Sequence, residues 1–122
     1  MSAALDVVRR GLLNSLYNSS LSAVLRAQSH KGEVHPILRH LVDGVAETIA
    51  LQPKYVACFK IIAAAIPEEW EDIATIWMEL PQSKRDTLRH IGFVAPLIHA
   101  LESRGHIKTR VHNGIHQVRR TV

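Results

Sequence analysis

Residues 106–122, HIKTRVHNGIHQVRRTV, alternate between apolar and polar and carry Asn113-Gly114 at their middle. A two-residue type I′ turn needs positive φ at both central positions, and Asn-Gly meets that demand best. With this pair as the loop, His112 faces Ile115, Val111 faces His116 and Arg110 faces Gln117. Thr109 then faces Val118, and Lys108 faces Arg119. Side chains alternate between the two faces of such a ribbon. Ile107, Thr109, Val111 and Val118 share a face suited to a core. Lys108, Arg110, His112, Gln117 and Arg119 share the other. Like charges directly across two strands repel, as at Lys108 and Arg119. An anion lying along the ribbon would relieve them.

The rest of the chain has helical periodicity. Leu5, Val8, Leu12 and Leu16 place a first helix over 3–17. Asn18-Ser19-Ser20 is expected to interrupt it, with a second stretch over 21–28. Pro36 can open the next helix, where its missing N–H costs nothing. Ile37, Leu38, Leu41, Val42, Val45 and Ile49 give that helix a wide apolar stripe, ending near Leu51 before Pro53. PKYVACFKIIAAAI, from Pro53, is apolar nearly all round, as buried or dimer-interface helices are. A fourth helix is expected from Pro67, with Glu68, Glu69, Glu71 and Asp72 in its first turns, where the helix dipole favours acids. Trp70, Ile73, Trp77 and Leu80 would line its inner face. Ser83 reads as the N-cap of a short helix over 84–91. Gly92 punctuates, and a last helix covers 95–104, with Gly105 as its C-terminal cap. At 122 residues this is one domain: N-terminal helices over 1–66 and a C-terminal unit over 67–122 ending in the hairpin 106–120. The expected class is mainly α, a bundle of five or six helices closed by a β-hairpin.

Charge is unevenly distributed. Residues 1–83 hold seven Lys/Arg and nine acids, a net of −2. Residues 84–122 hold eight Lys/Arg against Asp86 and Glu102, a net of +6, together with five of the eight histidines. Such asymmetry points to an anionic partner for the C-terminal part, most often nucleic acid.

LIHALESRGHI, residues 97–107, resembles the end of a recognition helix and the approach to the wing in winged helix-turn-helix domains. The order of helix, short helix, glycine, helix and basic hairpin resembles that family too, over 67–122. The resemblance implies a recognition helix in the major groove and a wing on backbone or minor groove. It would turn Pro96, His99, Glu102 and Ser103 toward bases, and Arg104, Lys108, Arg110, Arg119 and Arg120 toward phosphates. That helix face holds no Arg, Asn or Gln for bidentate base contacts, so binding is expected to be mainly electrostatic. Lys84, Arg85, Arg89, His99, Arg104, Lys108, Arg110, His112, Arg119 and Arg120 are the expected nucleic-acid contacts, with DNA favoured over RNA and a transcription-regulatory role. A homodimer is expected from the apolar N-terminal helices, and would double the phosphate contacts. Two alternatives stay open. One is a helical adaptor, of viral or phage type, whose basic tail docks on an acidic protein. The other is a helical dimer following double-stranded RNA by shape.

Other chemistries find little support. No GxxxxGK[ST], GxGxxG or HExxH occurs, so no enzyme is expected. Cys58 lies in an apolar helix and reads as core. His35 and His40 would stand about 140° apart on their helix, so they do not converge with His30 on a metal. No metal or cofactor is expected. One cysteine permits no internal disulfide. The start MSAALDVVRRGLL has the wrong charge order for a secretory signal. The longest apolar run, Tyr55 to Ile66, is 12 residues and contains Lys60, too short to span a bilayer. An intracellular location without membrane association is the expectation. Asn18-Ser19-Ser20 matches a glycosylation pattern and is read as a polar helix break instead.

Overall fold

A computed structural model of the chain describes residues 3–29 and 53–121. The helix expected over 36–51, and His30, His35 and His40, lie outside the described residues. Five helices and three short strands are described: α1 (Ala3–Ser29), α2 (Pro53–Ala65), β1 (Glu71–Asp72), α3 (Ile73–Glu79), α4 (Gln82–Leu88), α5 (Ile91–Ser103), β2 (Ile107–His112) and β3 (Ile115–Arg120). The fold is mainly helical with a small antiparallel sheet in the order β1-β3-β2.

The hairpin has the expected register, from His112 opposite Ile115 to Lys108 opposite Arg119 and Ile107 opposite Arg120. Asn113 and Gly114 take φ of 51° and 77°, the left-handed pair the turn requires. Alternation sends Ile107 and Val118 into the core, where they are 4% and 0% exposed. There they join Tyr17 from α1, Phe59, Ile62 and Ile66 on or just beyond α2, Ile73 and Ile76 from α3, and Leu97 and Ile98 from α5.

Four local expectations are corrected. Asn18-Ser19-Ser20 does not break the first helix, because α1 runs unbroken through it. No helix begins at Pro67: Glu71 and Asp72 pair with Val118 and Gln117 as a strand, and α3 starts at Ile73. The hairpin supplies hydrogen bonds there that override the helical preference of the acids, and the Arg120 N–H donates to the Pro67 carbonyl at 2.7 Å. Ser83 caps nothing. Its helix starts at Gln82 behind Pro81 and ends at Arg89, whose φ is 72°. Gly92 lies inside α5, which begins at Ile91 behind His90; the Gly92 N–H donates to His90 Nδ1 at 2.8 Å.

Pro96 consequently sits inside α5 and not in its first turn. It has no N–H to offer the Gly92 carbonyl one turn back. The Ser20 hydroxyl of α1 donates to that carbonyl instead. A Cβ at Gly92 would meet Nδ1 of its cap His90 at 2.8 Å and Cβ of Ser20 at 3.4 Å. Glycine therefore leaves room for the His90 cap, whereas the contact with Ser20 would be an ordinary one.

Candidate nucleic-acid interface

The outward face of the hairpin carries Lys108, Arg110, His112 and Arg119. Lys108, Arg110 and His112 are exposed and Arg119 is half-buried. Trp70, just before β1, lies among them. The Arg110 guanidinium carbon is 4.3 Å from the Trp70 ring centroid and that of Arg119 is 5.8 Å away. Such contacts fix guanidinium planes while leaving their charge in place. Arg110 Nε donates to Gln117 Oε1 at 2.7 Å, and Gln117 Nε2 donates to Asp72 Oδ1 at 2.8 Å. Trp70, Gln117 and Asp72 thus hold Arg110 extended across the sheet. Arg119 Nε is buried without a hydrogen-bond partner.

The inner face carries the device that seats the hairpin. His116, 8% exposed, lies against α1. Its backbone N–H donates to Asn14 Oδ1 at 2.9 Å, and Asn14 Nδ2 donates to the Gly114 carbonyl at 3.0 Å. His116 Nε2 is 2.8 Å from Asn18 Oδ1, an atom that can only accept, so this ring nitrogen carries a proton. The Tyr17 ring stands 5.2 Å from the imidazole, tilted by 60°. Burial lowers the His116 pKa from its ordinary 6.5. Burial, aided by the nearby Glu102 carboxylate, raises that of the Tyr17 phenol.

The ten expected contacts fall into separate groups. Lys108, Arg110, His112 and Arg119 share the outer face. Arg120 does not join them: it belongs to the inner register, and its side chain donates to the Ala63 carbonyl of α2 at 3.0 Å. Arg104 is exposed where α5 turns into β2. Lys84, Arg85 and Arg89 lie on and after α4, which packs on α2 and α5. Lys84 borders an open cavity with Glu71 and Glu79, and Arg85 donates to Gln82 Oε1 at 3.1 Å.

His99 and Pro96 face α1, correcting the expectation that they look toward bases. Pro96 is fully buried and borders a groove with Leu16, Ser19 and Ser20. His99 is half-buried beside Tyr17, Leu21 and Leu25, and its Nε2 has no partner. Glu102 is exposed, but its carboxylate accepts from both the N–H and the hydroxyl of Thr109, at 3.1 and 2.7 Å. Ser103 donates to the His99 carbonyl at 2.9 Å. Of the four, Pro96 and His99 lie against α1, while Glu102 and Ser103 remain exposed.

Reading the sequence alone missed Trp70, Asp72, Asn14, Asn18 and the inward role of His116. The outer register of the hairpin did place Gln117 beside Arg110. Nothing in the local pattern links α1 to a hairpin about a hundred residues away.

Cys58 is 5% exposed, and burial raises its thiol pKa, which keeps it a poor nucleophile. Among the described residues, no three His, Cys, Asp or Glu side chains gather as a metal site. No described helix is long and apolar enough to cross a membrane. No protein-family model, curated protein or solved structure matches the chain.

Proposed function

We propose that this chain binds nucleic acid, DNA in preference to RNA, along the outer face of its hairpin. One observation carries the reading: Lys108, Arg110, His112 and Arg119 share the outer face of one ribbon, with the guanidinium groups of Arg110 and Arg119 over Trp70. Short helix, helix and basic hairpin follow one another in the order that suggested a winged helix, which supports that reading. Because α1 covers α5, recognition falls to the ribbon, and backbone contacts position a protein without reading sequence. The role is a regulatory or architectural one with little discrimination among bases, and no catalytic step belongs to it.

Fluorescence anisotropy of labelled duplex DNA, duplex RNA and single strands at two salt concentrations tests this. Salt-sensitive binding, strongest to duplex DNA and indifferent to sequence, is the expected result. Arg110→Ala with Arg119→Ala should lower the slope of log affinity against log salt by about two units. Unchanged affinity in the double variant would remove the hairpin from the interface.

The covered α5 also favours a second reading, an adaptor whose ribbon meets an acidic protein surface. Absence of binding to every nucleic acid at low salt would select it.

A further inference from the structure

We propose that the free edge of β2 takes an acidic, extended segment of a partner protein as a further strand. A two-residue turn makes His112 and Ile115 a hydrogen-bonded pair, and such pairs alternate along an antiparallel ladder. In this register Lys108, Arg110 and His112 turn their backbone groups toward β3, and Thr109 and Val111 turn theirs away from it. The outward groups of β3 are taken: the His116 N–H donates to Asn14, Val118 pairs with Glu71 of β1, and the Arg120 N–H donates to the Pro67 carbonyl. β2 lies at the other border of the sheet. There the Thr109 N–H donates to the Glu102 carboxylate. The backbone N–H and carbonyl of Val111 have no partner among the described residues. Open backbone groups on a border strand are a template for one more strand.

The chemistry of the occupant follows from the two faces of β2. A strand laid beside it sets alternate side chains next to Lys108, Arg110 and His112, all exposed, where carboxylates pair well and cations do not. The same three residues turn away the β2 of a second copy, which would bring like charges together. The intervening side chains fall on the inner side, beside Val111, which is 60% exposed. A cavity of about 230 Å3, bordered by Tyr17, Ile98, His99, Thr109 and Val111, lies there and suits an aliphatic side chain. Glu102 shows that this edge accepts a carboxylate: it receives both the N–H and the hydroxyl of Thr109, at 3.1 and 2.7 Å. It stands in for one group of the partner and swings aside, from its exposed place near the end of α5, when the strand is added. The fitting segment therefore alternates acidic and aliphatic residues. No stretch of residues 30–52 does so. The inference goes beyond the nucleic-acid reading and survives its failure, since phosphates need the outer face and a strand needs the backbone edge.

The test is a titration of the full chain with a synthetic peptide alternating Glu and Val over about six residues. Binding is read from anisotropy of the labelled peptide and from amide exchange by NMR. In the free chain the Val111 amide should exchange rapidly while those of Arg110 and His112 are protected. The peptide should slow Val111 exchange at least several-fold. A peptide of equal charge with Pro in place of Val lacks the donors that would face β2 and should not bind. Val111→Pro removes the outward donor and leaves the ladder to β3, the charge and the circular dichroism spectrum as they were. It should abolish peptide binding and leave the affinity for duplex DNA unchanged. Glu102→Ala frees the Thr109 N–H and should tighten the peptide several-fold. A Val111 amide already protected in the free wild-type chain would overturn the proposal, the edge then being covered by the chain itself or by a second copy. So would binding of the proline peptide as tightly as the valine one, or equal binding by wild type and Val111→Pro, because charge alone would then account for it.

Discussion

Pro96 and His116 each put a costly group inside the fold, and each is answered from α1. Pro96 leaves the Gly92 carbonyl without its helical donor, and the Ser20 hydroxyl replaces it. An unsatisfied buried carbonyl would cost about 1–3 kcal/mol. His116 brings an imidazole onto the inner face of the sheet, where Asn18 and Tyr17 receive it. Burial holds its folded pKa below the ordinary 6.5, so the unfolded chain takes up the proton first as pH falls. Stability is therefore full above 6.5, declines as pH drops from 6.5 toward the lowered folded value, and levels off below it. His116→Gln keeps a donor for Asn18 but does not titrate. Urea midpoints measured at a series of pH values should show a flatter profile for this variant within that window. Identical profiles would place the pH dependence on other groups.

At the scale of elements, α1 acts as a rail on which the hairpin and α5 are both mounted. Its polar residues are docking points: Asn14 and Asn18 for the hairpin, Ser20 for α5. This explains why a polar run that looks like a helix break lies within an unbroken helix. Asn18 and Ser20 have tertiary partners, so neither competes for the helical backbone, and Ser19 faces solvent. Asn14→Ala removes two hydrogen bonds to the hairpin and should cost about 1–2 kcal/mol. Hydrogen exchange should quicken at the His116 amide while α5 amides keep their protection. Equal loss across both elements would mean that the rail fails as a whole. On the opposite edge, β1 binds β3 through two residue pairs and sets Asp72 against Gln117. Of the acids expected to serve a helix dipole, Glu71 and Asp72 serve the sheet instead.

For the molecule as a whole, the first helix contributes to the core of the C-terminal unit. Tyr17 is 2% exposed within the core shared with α5 and the sheet. A chain lacking residues 1–29 should lose cooperative thermal unfolding and near-ultraviolet dichroism, since α5 would present its buried face to water. A sharp transition in that fragment would instead establish that residues 30–122 fold without α1. The charge asymmetry takes shape at this scale as well. Of the cations after residue 84, the fold brings Lys108, Arg110 and Arg119 together on one ribbon, commits Arg120 to the end of α2, and leaves those of α4 elsewhere.

The hairpin and its register were determined by the sequence, because a two-residue Asn-Gly turn and period-two alternation are local constraints that leave one pairing. The mainly helical class was legible for the same reason: periodic Leu, Ile and Val need only neighbours three and four positions away. Sequence also placed Lys108, Arg110, His112 and Arg119 on one face. Tertiary structure decided the rest. That Trp70 lies under Arg110, that Glu71 and Asp72 form a strand, and that Pro96 and His99 are turned toward α1 depend on partners far away in the chain. Such contacts leave no periodicity behind, because the free energy that selects them comes from burial and hydrogen bonds completed only when distant elements meet.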